Sequence, residues 1–208
     1  MVKFVSPDTF IKNTKGKQYD MDKACGVQCV DGIKKFTYDL YGKYDFNCGS
    51  CGYAYGLWTN YGSNGVEKYF TKVPYKEAVK GDWLVWAKGS SQCPTSHVAM
   101  YVSGNASKVN AYGQNQNGHK YFNTASISTN GILGALRCRE YTAHIMYKKG
   151  DENKEVGKIN NLMAKDVKGT LFGDYTEATV KVFQGKHNLS KTGKVDFITY
   201  EKMQKEGL

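Results

Sequence analysis

Cys29 is the residue in this chain best placed to act as a nucleophile. Ile33, Phe36, Thr37 and Leu40 follow it at i, i+3, i+4 and i+7 spacing, one buried helical face, and Gly42 stands where that helix should stop. The spacing therefore puts Cys29 at a helix N-terminus, where unpaired N–H groups and the macrodipole favour a thiolate. A thiol mechanism also needs an imidazole to share the proton and a polar group to fix its tautomer. Of the four histidines, His187 lies near the C-terminus and His144 falls within an expected strand, where a structural role is the ordinary one. His97 opens a strand after a polar turn, and His119 sits in an Asn/Gln/Gly-rich loop; position favours His97 and leaves His119 open. Gln114 to Gly118 follows the next strand, and a side-chain amide there can accept from the imidazole. The Gln28 amide, with the Cys29 backbone N–H, can form an oxyanion hole.

The same stretch carries a second chemistry. Counting Asp20 as position 1, Asp22 falls at 3 and Asp31 at 12, with Ala24 and Gly26 offering backbone carbonyls at 5 and 7. That rhythm of carboxylates and carbonyls suits a hard divalent cation such as calcium. It departs from an EF-hand loop, which has Gly at position 6 and Glu at 12, where this chain has Cys25 and Asp31.

The elements that must position these groups follow an α+β order. One helix precedes apolar strands expected at Trp83 to Ala87, His97 to Val102, Val109 to Tyr112, Ile132 to Arg137 and Thr142 to Tyr147, whose short spacing predicts an antiparallel meander. Abundant Gly (23) and Tyr (16) against scarce Pro (3) also suit a loop-rich β-containing domain. Residues 1–19 read as irregular. Lys148 to Lys154 is polar throughout and reads as a linker, which divides the chain into a domain at 1–148, a linker at 149–154 and a domain at 155–208. In the last segment Val156, Ile159, Met163 and Val167, then Tyr175, Ala178, Thr179, Val182 and Phe183, recur at helical spacing. Asp174 with Glu177 resembles a capping box, and Asp196 to Lys205 is a further helix, giving three in all.

The net charge of +10 is concentrated in the first 150 residues, where 19 basic side chains face 10 acidic ones. A basic domain is drawn to polyanions such as nucleic acid, anionic lipid or wall polymers. The chain has no dense Lys/Arg run or nucleic-acid motif, so nucleic acid is not the expected partner, and no apolar run reaches membrane-spanning length. The N-terminus lacks an apolar core of signal-peptide length. The six cysteines are read mainly as free thiols, with Cys48-Gly49-Ser50-Cys51 the one C-x-x-C. No organic cofactor is implied.

Three blocks carry a resemblance: Gln28-Cys29-Val30-Asp31, Gly81-Asp82-Trp83-Leu84-Val85-Trp86 and Ser96-His97-Val98-Ala99-Met100-Tyr101. In order and spacing they resemble the CHAP domain, the cysteine, histidine-dependent amidohydrolase/peptidase, over roughly residues 10–148. The resemblance implies a papain-like, NlpC-type fold, cleavage of peptidoglycan, Cys29 as nucleophile and His97 as base. Calcium-bound phage members carry the same Asp-x-Asp before Gln-Cys and the same Asp after it, which implies calcium at Asp20, Asp22, Ala24, Gly26 and Asp31. Where many phage relatives have Glu-Gln-Asn this chain has Gly113-Gln114-Asn115, so Asn115 becomes the expected orienter of His97, with Gln114 second. Gly173 to Gln184, with Leu189 and Thr192-Gly193, resembles the small helical peptidoglycan-binding domain. Together these imply an endolysin, held in the host cytoplasm before release and acting on a Gram-positive wall. It would cleave either the N-acetylmuramoyl-L-alanine amide or a wall peptide bond. The rival from another class is a non-catalytic wall-binding or toxin-like module with structural thiols.

Overall fold

The computed structural model of the chain describes residues 2–164, 167 and 169–208. It separates into two units, Met1–Arg139 and Glu140–Leu208.

The first unit opens with a helix the composition of residues 1–19 does not advertise, α1 (Pro7–Thr14). Ser6 Oγ accepts from the Thr9 backbone N–H at 3.2 Å, and Pro7 fills the first turn, where no N–H is needed. The next helix, α2 (Cys29–Tyr41), begins at Cys29 and ends on Gly42, whose φ of 71° supplies the left-handed cap. A short α3 (Gly56–Thr59) follows within the Gly/Tyr/Cys-rich segment.

The sheet comprises β1 (Phe70–Val73), β2 (Trp83–Trp86), β3 (His97–Gly104), β4 (Lys108–Gly113), β5 (Asn123–Ser128) and β6 (Ile132–Cys138). Its order is β1-β6-β2-β3-β4-β5, with every neighbouring pair antiparallel. The expected meander therefore holds only for β2 to β5. β6 crosses back to pair with β2 and β1, closing the sheet around the apolar Trp83–Trp86 strand, all of which is buried. Both faces are covered. On one, Phe10, Phe36, Trp83, Tyr112 and Phe122 form a mostly edge-to-face aromatic cluster with ring centroids 5.2–6.4 Å apart. Gly32 lets α2 approach closely, since a Cβ there would lie 3.4 Å from both Trp83 and Phe122. On the other, Leu84, Trp86, Ala99, Tyr101, Ala111 and Ile127 pack together.

A buried ion pair ties the sheet to the turn before β2. Arg137 donates to both Asp82 oxygens at 3.1 and 2.7 Å and to the Glu77 carbonyl at 2.8 Å, while Asp82 also accepts from the Val79 N–H at 2.9 Å. The Gly-Asp-Trp block thus holds the fold rather than the chemistry.

The second unit begins earlier than the linker expected at 149–154. Thr142 to Tyr147, expected as a fifth strand of the main sheet, instead forms the end of α4 (Glu140–Ala143) and then β7 (Ile145–Tyr147). β7 pairs with β8 (Val195–Asp196) inside the second unit. Three longer helices, α5 (Lys154–Met163), α6 (Asp174–Lys186) and α7 (Phe197–Lys205), bury Val156, Ile159, Phe172, Val180, Val195 and Met203. α5 ends before Val167, and Asp174 is the first residue of α6 rather than its cap, which is Gly173. Gln184, fully buried, has its Nε2 within 2.8–3.2 Å of Lys194 O, Thr192 Oγ1 and Thr199 Oγ1, and its Oε1 accepts from the Gly193 N–H at 2.9 Å. The Phe-Gln and Thr-Gly pairs are therefore the two sides of one internal clamp.

Candidate active site

The chain reaches α2 through a curled loop. Lys23, Cys25 and Gly26 all take left-handed φ values, 57°, 60° and 67°. Ala24 N–H donates to Asp22 Oδ1 at 2.9 Å, and Gln28 Nε2 to the Cys25 carbonyl at 2.9 Å. Asp31, in the first turn of α2, accepts from the Gln28 N–H at 2.8 Å and from the Met21 N–H at 3.0 Å, so the helix start and the loop share one carboxylate.

Cys29 is half-buried, and the backbone N–H groups of Val98, Cys29 and Val30 lie near enough to its sulfur to favour the thiolate. This places it against the start of β3, one residue along from His97. The helix N-terminus alone would favour a thiolate, but burial dominates and pushes the thiol up to about 11. The thiol therefore needs a base, as the sequence reading also required.

His97 is buried, packed at 5.7 Å against the Trp86 ring, and its Nε2 lies 2.9 Å from Gln116 Oε1. The two hydrogens of the Gln116 amide are committed to the carbonyls of Ala111 and Asn123, at 3.0 and 2.8 Å. Its oxygen can only accept, so His97 carries its proton on Nε2 and Nδ1 is left with a lone pair. Burial, partly offset by the Gln116 contact, holds the imidazole below its ordinary value of 6.5, neutral and ready to take a proton. A polar cleft of about 270 Å³, lined by Ser96, His97, Asn115, Gln116, Asn117 and His119 among others, opens beside it.

The amide that meets His97 is therefore that of Gln116, not the expected Asn115 or Gln114. Asn115 Nδ2 instead donates to Gln28 Oε1 at 3.1 Å. Gln114 bridges the Tyr19 and Gln28 carbonyls at 2.7 and 2.9 Å and accepts from the Tyr19 N–H, fixing the segment ahead of α2. The register is broken by Asn115 and Asn117, at φ 54° and 52°, which curl the chain so that strand alternation no longer applies. Gly113 completes the arrangement: a Cβ there would lie 3.0 Å from the Ala99 Cβ and 3.1 Å from Gln116 Oε1. The missing side chain at 113 leaves the space that the Gln116 amide uses. Gln28 retains one amide hydrogen beyond its bond to Cys25. His119 stacks on Tyr121 at 4.7 Å. No disulfide joins any of the six cysteines.

Asp20, Asp22 and Asp31 bring one carboxylate oxygen each within 4.8 Å of one another. Asp20 Oδ1 is buried without a hydrogen-bond partner, an orphaned acceptor of the kind a hard cation satisfies. Burial disfavours ionisation of both Asp31 and Asp22. It prevails at Asp31, whose carboxyl is raised, while the Lys34 ammonium and the Ala24 N–H outweigh it at Asp22 and hold that group below the usual range. The three residues fit a divalent ion on charge and donor type.

Comparison with known proteins places the second unit first. Residues 160–203 match the family described as "Putative peptidoglycan binding domain". The chain is also 34% identical over 106 residues, half its length, to the D-alanyl-L-alanine endopeptidase of Streptococcus phage B30, of whose length it spans 23%. Among solved structures it aligns with the wild-type endolysin LysIME-EF1 at a TM-score of 0.45 and 19% identity, covering 64% of each chain. It also aligns with a periplasmic domain of the EpsAB fusion protein of Vibrio vulnificus at a TM-score of 0.34 and 11% identity, covering 79% of this chain and 80% of that one.

Proposed function

We propose that this protein hydrolyses an amide bond of peptidoglycan through Cys29 and His97, in the manner of a CHAP-type endolysin. The observation that carries the proposal is the fixed imidazole: Gln116 commits His97 Nε2 to donation, on the residue next to Val98, whose backbone N–H favours the Cys29 thiolate. His97 Nδ1 takes the thiol proton as sulfur attacks the carbonyl carbon, which offsets the cost of ionising a thiol with a pKa of about 11. The Cys29 N–H and the remaining Gln28 amide hydrogen stabilise the oxyanion. Collapse expels the amine, protonated by the imidazolium, and leaves a thioester. Water, deprotonated by His97, then releases the acid and restores the thiol.

The name of the phage B30 relative favours the peptide bond between D-alanine and L-alanine over the muramoyl amide. The second unit, through its 160–203 match, would retain the enzyme on a Gram-positive wall, its expected target. Calcium would be held by Asp20, Asp22 and Asp31 with the Ala24 and Gly26 carbonyls, and would supply charge neutralisation that pins the start of α2. Mass spectrometry of wall digested by the full chain tests the reading. New D-alanine carboxylates and L-alanine amines are expected; intact wall peptides, with the protein bound, would instead support a non-catalytic wall-binding module.

A further inference from the structure

We propose that Lys34 is a built-in place-holder at the carboxylate loop, an ammonium that a divalent cation must displace in order to bind. This rests on the reading of Asp20, Asp22 and Asp31 as a calcium site. Lys34 lies on α2, and its side chain is only 7% exposed. Its Nζ contacts Asp22 Oδ2 and stands 5.8 Å from the centroid of the Tyr44 ring. Burying a lysine so thoroughly is costly unless its charge is matched, and here Asp22 matches it.

The hydrogen bonds of the loop show why Lys34 is the partner that can leave. Asp22 Oδ1 is held by the Ala24 N–H, and the two oxygens of Asp31 by the N–H groups of Met21 and Gln28. These donors are backbone groups whose positions are set by the curled loop and the helix start. Lys34 hangs on a flexible stem and can swing away while the backbone stays put. Even with Lys34 present, three carboxylates against one ammonium leave a formal charge of −2, and Asp20 Oδ1 still lacks a partner. The loop is thus tied by backbone donors yet remains short of positive charge. Lys34 weakens calcium binding and at the same time guards the loop against collapse when calcium is scarce.

Isothermal titration of calcium chloride into the full-length wild type, Lys34→Met, Lys34→Gln and Lys34→Arg tests this, with melting temperatures measured in chelator and in saturating calcium. The dissociation constant should fall about tenfold or more in the Met and Gln variants and stay near wild type in Arg. In chelator the Met and Gln variants should melt below wild type, and saturating calcium should close that gap. Unchanged or weaker calcium binding by both neutral variants would overturn the proposal, as would neutral variants that calcium fails to restore to the folded state. If neither wild type nor any variant binds calcium, the metal reading itself falls and takes this inference with it; calcium binding with no gain on removing the ammonium sinks the Lys34 role alone.

Discussion

Removing the Gln116 side chain tests the central geometry. Gln116→Ala deletes three hydrogen bonds of 2.8–3.0 Å: one to His97 Nε2 and two to the carbonyls of Ala111 and Asn123. At about 1 kcal/mol net for each bond, with a larger cost for any acceptor left dry, the loss of stability is roughly 2–4 kcal/mol. For a domain of this size that is roughly 5–15 °C in melting temperature. Well below the new melting point, the imidazole would still be present but free to rotate and to change tautomer. Misplacement on the ångström scale costs up to about 100-fold, so kcat for wall hydrolysis should fall about 10- to 100-fold with KM little changed. A purely structural residue would lower stability without moving the pH profile, so Gln116→Glu gives the discriminating readout. Its carboxylate can still accept from Nε2 and would favour the imidazolium, raising the His97 pKa and moving the acid limb of kcat/KM to higher pH. A Gln116→Ala enzyme with kcat within twofold of wild type, or a Gln116→Glu enzyme with an unmoved acid limb, would refute the reasoning.

Other outcomes follow from the same geometry. Burial lowers the His97 pKa, so the acid limb of kcat/KM should lie below pH 6.5, with activity lost as pH falls and the base protonates. Stability should move the same way: the unfolded imidazole binds a proton near pH 6.5 while the folded one resists, so folding weakens as pH drops from there through the folded value, as acid unfolding curves of wild type against His97→Gln will show. Gly113→Ala should push on both Ala99 and the Gln116 amide and lower kcat severalfold, read in the same wall assay; an unaltered kcat would mean that the space at 113 is not needed. Asp82→Asn leaves Arg137 buried against a neutral partner and should cost about 3–5 kcal/mol in urea unfolding, with the residual activity of the folded fraction normal.

Much of the fold could be read from periodicity. The i, i+3, i+4, i+7 pattern after Cys29 located α2, and the apolar runs at Trp83, His97, Val109 and Ile132 located β2, β3, β4 and β6. β1 and β5 carry little signal, because Phe70–Val73 is short and Asn123–Ser128 is largely polar, so neither alternates strongly. α1 had a legible signal, Ser6-Pro7 followed by Phe10, that overall polarity obscured. β7 was recognisable as extended, but a strand's own pattern does not name its partner, which lies near residue 195. At the site, spacing drew attention to Cys29, His97 and the three aspartates, and the structure groups the carboxylates and packs α2, which Cys29 opens, against β3, which His97 opens. Gln116 was hidden because two left-handed asparagines reset the direction of the chain, and such φ values are not readable from residue type alone. The thiol's raised pKa is not legible from position for a related reason: helix position is local, whereas burial depends on what packs over Cys29.

The claim on which the rest depends is that the Cys29 sulfur attacks the wall. The most direct measurement is product release, followed by mass spectrometry, from purified Gram-positive wall treated with wild type and with a Cys29→Ala protein of unchanged melting temperature. The account predicts alanine-terminated fragments from the wild type and none above background from the variant, which should still bind the wall. Equal fragment release by the two proteins would contradict it.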